Sequence, residues 1–213
     1  MGTTVGRGYL IALEGIDGAG KTVNSKWLVR RLKEAGYKVV YTSEPTYGVI
    51  GVALRDLQGR KASSPEIDAL LFAADRLYHV RHIIEPSLKK GYVVVTDRYL
   101  YSSIAYQGAM TGDRKWVELV NRYCVPPDLA IYLDVDPRTG LGRKRKGKWF
   151  WRWRSGLRAF EDPALLEKVR AVYLELCEEG KLVRVPADRE LGEVRAEIAK
   201  VIWERLGIGI RSG

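Results

Sequence analysis

The sequence predicts an open α/β fold, a five-stranded parallel sheet with helices on both faces, and three observations predict it. Short apolar runs alternate along the chain with longer amphipathic ones. The apolar runs are near-continuous Val, Ile and Leu rather than alternating with polar residues, which is the pattern of strands buried on both faces. No period of about 20–50 residues repeats, so a solenoid is excluded, and strand–helix alternation calls for right-handed crossovers between parallel strands.

The elements follow in order. YLIALE (9–14) reads as a buried strand, and 20–35 as a helix that stops at Gly36. KVVYTS (38–43) is a second strand. A long helical period covers 65–90, and Ser64-Pro65-Glu66 is a good start for it, with Ser at the N-cap and Pro in the first turn. YVVVTD (92–97), LAIYLDV (129–135) and LVRVP (182–186) are the remaining strands; 113–123, 163–179 and 190–206 carry helical periodicity. Open parallel sheets bind ligands at the carboxyl ends of their strands. The places to look are therefore just after residues 14, 43, 97, 134 and 186.

Composition narrows the class. The 213 residues suit one domain, with 46% hydrophobic and 29% charged residues. No apolar run reaches the roughly 18 residues of a membrane span. The first residues lack the layout of a secretory signal, and Gly6 stands where a myristoylation motif wants Ser or Thr; a cytoplasmic protein is expected. Cys124 and Cys177 have no metal-ligand spacing and read as reduced thiols. His79 and His82 lack a partner at a useful offset and read as structural. Asn and Gln are scarce, two of each, which leans towards a heat-adapted source. The net charge is +10, which admits nucleic acid, a membrane surface or a polyanionic small substrate. From Arg138 to Arg158 there are nine Lys or Arg and no Asp or Glu. The charge is thus local, as an anion-handling task requires.

After the first strand stands GIDGAGKT, the full G-x-x-x-x-G-K-[ST] pattern between a strand and a helix. Gly15, Ile16, Asp17, Gly18, Ala19 and Gly20 would turn backbone N–H groups onto a phosphate, and the helix start adds its dipole. Lys21 can reach β- and γ-phosphates, and the Thr22 hydroxyl can ligate Mg²⁺. Val23 occupies the third glycine position of a dinucleotide fingerprint, so that fold is not supported. Asp97, at a strand end, suits a Mg²⁺-associated acid, and Arg98 follows it. The fold class becomes a P-loop NTPase-type three-layer sandwich, with ATP and Mg²⁺ as expected ligands.

Phe72 and Arg76 lie one helical turn apart and share a face; a ring and a guanidinium there can stack a base and clamp its phosphate. Ser103, Tyr106 and Gln107 carry hydroxyl and amide groups able to read a pyrimidine edge and exclude a ribose 2′-hydroxyl. SEPTYG (43–48), LLFAADRLYHV (70–80) and DRYLYSSIAYQG (97–108), together with GIDGAGKT in this order, resemble the thymidylate kinase family from about residue 9 to 186. The resemblance implies one kinase domain over 1–213 that phosphorylates dTMP to dTDP with ATP and Mg²⁺, acting as a homodimer. It implies that Asp17 meets the acceptor's 3′-hydroxyl, that Glu44 and Pro45 line the same cleft, and that Arg76 and Arg98 hold the acceptor. Two positions depart from the common pattern: Ser43 stands for an Arg and Tyr78 for a Gln. Arg55 is a candidate to compensate for the first.

The resemblance also implies a mobile lid over the nucleotide at about 142–160, within GRKRKGKWFWRWRSGLRAF, whose arginines stabilise charge on the transferring phosphoryl group. Some family members carry a basic residue in the phosphate loop just after the Asp; here Gly18 is there, so the charge is expected from the lid. Arg143 and Arg145 resemble lid arginines, and Arg158 is displaced by one residue from the usual place; Arg152 and Arg154 are further candidates. Packing of the lid is the expected role of the three tryptophans in KWFWRWRSG. Alternatives remain open: another or broader acceptor such as dUMP or CMP, a P-loop ATPase using a basic-aromatic grip on nucleic acid, or a membrane-surface protein. The expected partners are small nucleotides, with neither nucleic acid nor membrane.

Overall fold

The computed structural model describes residues 7–60, 62–146 and 162–210. Five strands form one parallel sheet: β1 (Leu10–Glu14), β2 (Val39–Ser43), β3 (Val93–Asp97), β4 (Leu129–Asp134) and β5 (Val183–Pro186), in the order β2-β3-β1-β4-β5. Every residue of β1, β3 and β4 is buried. Successive side chains on a strand point to opposite faces, so burial at every position means both faces are covered. The register aligns the carboxyl ends: Leu13 and Ser43 both pair with Asp97, Glu14 with Tyr132, and Asp134 with Pro186. The five strand ends anticipated from the sequence therefore share one edge.

The helices are α1 (Lys21–Glu34), α2 (Val49–Gly59), α3 (Pro65–His79), α4 (Glu85–Lys89), α5 (Leu100–Thr111), α6 (Arg114–Val120), α7 (Pro137–Lys146), α8 (Pro163–Glu178) and α9 (Leu191–Leu206). The single helix expected over 65–90 is continuous but changes pitch: α3 passes through a π-helical turn at Val80–Ile84 into α4. Pro86 lies two residues past that turn; a proline ring cannot sit against a regular preceding turn, and a wider turn relieves it. Ser64 caps α3 by accepting from the Ile67 N–H, and Asp113 and Asp162 cap α6 and α8 in the same way.

Three helices, α2, α5 and α7, add to those read from the sequence. In α5 the whole stretch from Tyr101 to Gly108 is buried, so no polar face marks it. α7, PRTGLGRKRK, has two glycines and a basic half instead of an apolar stripe. α2 is an 11-residue helix that buries Gly51, Leu54 and Gln58 along one face.

Candidate functional site

The loop from Gly15 to Gly20 joins β1 to α1 at the centre of the strand-end edge. It closes on itself, the Ala19 N–H donating to the Ile16 carbonyl at 3.2 Å. Gly18 has φ +83, and a Cβ there would stand 2.0 Å from the Gly140 carbonyl oxygen, so only glycine fits. Lys21 lies under the loop, 6% exposed, and its ammonium donates to the Ile16 carbonyl at 2.8 Å. Burial, with the nearby Arg98 guanidinium, lowers its pKa to about 8.

Thr22 lies in the first turn of α1 and its hydroxyl donates to the Asp97 carboxylate at the end of β3. The next residue, Arg98, has φ 68, a left-handed conformation unusual outside glycine. Its backbone is held on both sides: its N–H donates to the Leu13 carbonyl at 3.0 Å, and its own carbonyl accepts from the Thr96 hydroxyl at 2.7 Å. This backward turn lays the guanidinium beside the phosphate loop. It donates to Asp17 at 2.5 Å and to the Ser102 hydroxyl at 3.2 Å, and stacks 5.1 Å from the Tyr106 ring centroid. Burial opposes its charge, but Tyr106 and Asp17 outweigh that and hold its pKa well above the ordinary arginine value.

Behind this lies a second polar cluster. Arg76, expected to clamp a phosphate, is 1% exposed. Its donors go to Glu44 at 2.8 Å, Asn121 at 2.6 Å, the Tyr99 carbonyl at 3.1 Å and Ser103 at 2.9 Å. Glu44 also bonds His79 at 2.9 Å, whose other ring nitrogen meets the Thr42 hydroxyl at 2.7 Å. Phe72, one turn before Arg76, is half-buried; Tyr106 and Gln107 are buried on α5, and Pro45 is half-buried. Arg55 bonds the carbonyls of Pro45 and Thr46, and of Gly51 at 3.0 Å. Asp75 fastens the same loop through the Thr46 N–H and hydroxyl, both at 2.6 Å. Tyr78 instead stacks on His82, centroids 3.9 Å apart, and is 46% exposed.

Sequence reasoning missed Glu14. This last residue of β1 is fully buried and accepts from the Tyr99 N–H at 3.1 Å and the Ser102 hydroxyl at 2.5 Å. Burial raises its pKa, opposed by the Ser102 bond and by Arg98. A carboxylate closing an otherwise apolar strand was the available signal. Asn121, under Arg76, had none.

At the other end of the edge, Arg143 of α7 donates to the Ala187 carbonyl at 2.7 Å, just past β5. The Ala187 N–H donates to the Asp134 carbonyl at 2.7 Å, and the Asp134 carboxylate gathers Arg170 and Arg184. Arg145 lies in α7, but its side chain, with Arg152, Arg154, Arg158 and the tryptophan run, lies outside the described residues. Among the described residues no group of three or more His, Cys, Asp or Glu gathers as a metal site, and no helix is long and apolar enough to cross a membrane.

A cradle of backbone N–H groups, a buried cation, a hydroxyl–carboxylate pair and a guanidinium thus meet at one sheet edge. This arrangement can hold a polyphosphate and present a second anion to it. The family model for thymidylate kinase matches residues 13–198. A probable thymidylate kinase of Staphylothermus marinus is 42% identical over 199 residues, 93% of this chain and 96% of that protein. One from Archaeoglobus fulgidus is 43% identical over 200 residues, 93% and 97% of the two chains. One from Pyrobaculum aerophilum is 39% identical over 193 residues, 90% and 95%.

Proposed function

The chain belongs to the thymidylate kinase family and is a nucleoside monophosphate kinase, and from that premise we propose that it transfers the γ-phosphoryl group of ATP to dTMP, giving dTDP and ADP. The observation that carries this reading is the convergence of the Gly15–Thr22 loop, the Thr22–Asp97 pair and the Arg98–Asp17 pair at one edge of β1 and β3.

The loop amides and Lys21 take the β- and γ-phosphates; Lys21 exchanges the Ile16 carbonyl for a phosphate oxygen, a stronger, charge-assisted partner. Mg²⁺ prefers hard oxygen donors, and the adjacent Thr22 hydroxyl and Asp97 carboxylate fit it. When bound, Mg²⁺ neutralises charge on the β- and γ-phosphates. Arg98 holds the acceptor phosphate next to the donor, and Asp17, aligned by Arg98, receives the acceptor's 3′-hydroxyl. Glu44, Pro45, Phe72, Ser103, Tyr106 and Gln107 form the acceptor cleft. Arg76 ties Glu44 to Ser103 beneath it and reaches an acceptor only by giving up a present bond. The lid, about 142–160, supplies the remaining charge through Arg143, Arg145 and Arg158. No general base is required, because the attacking phosphate oxygen is already anionic near neutral pH. Transfer then rests on in-line placement and charge neutralisation.

In this reading the protein acts in the cytoplasm on small nucleotides, with neither nucleic acid nor membrane as a partner. It pairs with a second copy of itself through α2 and α3, whose outer faces expose Val49, Val52, Ile67, Leu70 and Tyr78.

The test follows ADP release from Mg-ATP with dTMP, dUMP, UMP, CMP, dGMP, AMP or single-stranded DNA supplied separately. Turnover with dTMP far above the others is expected. ADP release driven only by DNA would sink the kinase reading, and equal rates with dUMP or CMP would replace it with a broader acceptor range.

A further inference from the structure

The phosphate loop and α7 touch through two glycines. A Cβ on Gly18 would lie 2.0 Å from the Gly140 carbonyl oxygen and 2.9 Å from its Cα. A Cβ on Gly140 would lie 2.7 Å from the Asp17 carbonyl oxygen and 3.1 Å from Ile16 Cδ1. Distances below about 3 Å are closer than carbon and oxygen approach without bonding, so Gly18 is required by the backbone of Gly140, and Gly140 by the carbonyl of Asp17. The contact lies between residues 122 positions apart, the difference of 140 and 18. It joins the loop that would cradle a triphosphate to the helix that carries Arg143 and leads into the basic segment. A Cβ on Gly142, two residues on, would meet nothing within 4 Å among the described residues, so the requirement there belongs to Gly140.

We propose that Gly140 is a positioning residue that keys α7 onto the phosphate loop, so that the loop's setting around a bound triphosphate and the placement of α7 are fixed together. Gly140 touches no reacting atom; it acts through Asp17 and Ile16 of the loop and through Arg143 one turn along its own helix. The anchorage is two-ended. Gly140 fixes α7 to the end of β1, and the bond from Arg143 to the Ala187 carbonyl fixes it to the end of β5. A displacement of a few tenths of an ångström at Gly140 therefore reaches the loop that holds the donor and the helix that supplies charge above it. Such displacements disturb in-line placement and cost turnover. This inference rests on the kinase reading above.

The experiment is Gly140→Ala, with Thr139→Ala as an exposed neighbour on the same helix. Steady-state kinetics in ATP and dTMP are measured alongside thermal unfolding and calorimetric binding of Mg-AMPPNP. Alanine is the better helix former, so if the contact with the loop did not require glycine, Gly140→Ala would leave the Tm unchanged or raise it and leave the kinetics unchanged. The keyed contact predicts a fall in kcat of tenfold or more and weaker Mg-AMPPNP binding, with Thr139→Ala like the parent. Wild-type kcat and nucleotide affinity in a folded Gly140→Ala protein would overturn the proposal, as would an equal loss in Thr139→Ala. If Gly140→Ala does not fold, hydrogen exchange on the parent decides. Magnesium tripolyphosphate, which fills the loop without a base, should slow exchange in 15–22 and 137–143 together; protection of the loop alone overturns the proposal. A parent that binds Mg-AMPPNP but phosphorylates no monophosphate would refute the kinase reading and leave these binding measurements intact.

Discussion

Lys21 shows how one side chain's setting becomes a pH dependence. Burial and the Arg98 guanidinium lower its pKa to about 8 in the protein without nucleotide. A triphosphate against it restores the charged form, because a nearby opposite charge favours ionisation. Hence kcat/KM for ATP should fall above about pH 8, where the free enzyme's Lys21 gives up its proton, while kcat holds level to higher pH. Lys21→Arg should lose that limb, since a guanidinium stays protonated, even though its absolute rate drops; persistence of the limb would assign it to another group. Residues such as Lys21, Thr22, Asp97 and Arg98 were legible because their signal is local, a motif or a strand end read within a few positions. Glu14 was not, because its partners Tyr99 and Ser102 stand 85 and 88 positions away. The left-handed turn at Arg98 was likewise invisible, since nothing in D-R-Y calls for a positive φ.

Arg76 belongs to the scale of elements, because its guanidinium ties the end of β2 to α3, α5 and α6 through Glu44, Ser103 and Asn121. An arginine on an amphipathic helix reads as a surface or ligand group, yet here α5 and α6 pack over it. α5 was itself obscured by burial on all sides, so the sequence could not show what would cover α3. Arg76→Met removes the cation from a pair in which both side chains are at most 3% exposed and leaves Glu44 with His79 alone. Breaking a buried pair in this way costs about 3–5 kcal/mol. Urea unfolding should therefore show a lowered midpoint with an unchanged m-value, and the dTMP KM should rise because Glu44 and Ser103 lose their alignment. A midpoint within experimental error of the parent would mean that Arg76 is not held as it stands here.

At the scale of the whole molecule, the sheet was legible because buried parallel strands announce themselves as apolar runs, and Asp97 and Arg98 then fell at the edge where such sheets bind. Among the described residues, α2 and α3 leave an apolar face uncovered. Ile67, Leu70 and Tyr78 recur at helical spacing along the side of α3 opposite Ala73 and Arg76, and all three are more than 40% exposed. Val49 and Val52 of α2 are 85% and 54% exposed. The two helices meet where Gly48, just before α2, lies against the Tyr78 ring; a Cβ there would be 3.8 Å from it. A two-fold contact would bring each such face against its copy, since an isologous interface uses the same patch twice. Sedimentation velocity should then show a dimer at micromolar concentration, and Leu70→Lys should shift it to monomer by burying an unpaired charge at the contact. Because Phe72 and Arg76 sit on the opposite face of the same helix, losing the partner should loosen the acceptor cleft. Leu70→Lys is therefore expected to raise the dTMP KM more than the ATP KM. A parent that sediments as a monomer would leave this face to some other cover, and a dimeric Leu70→Lys would move the contact elsewhere.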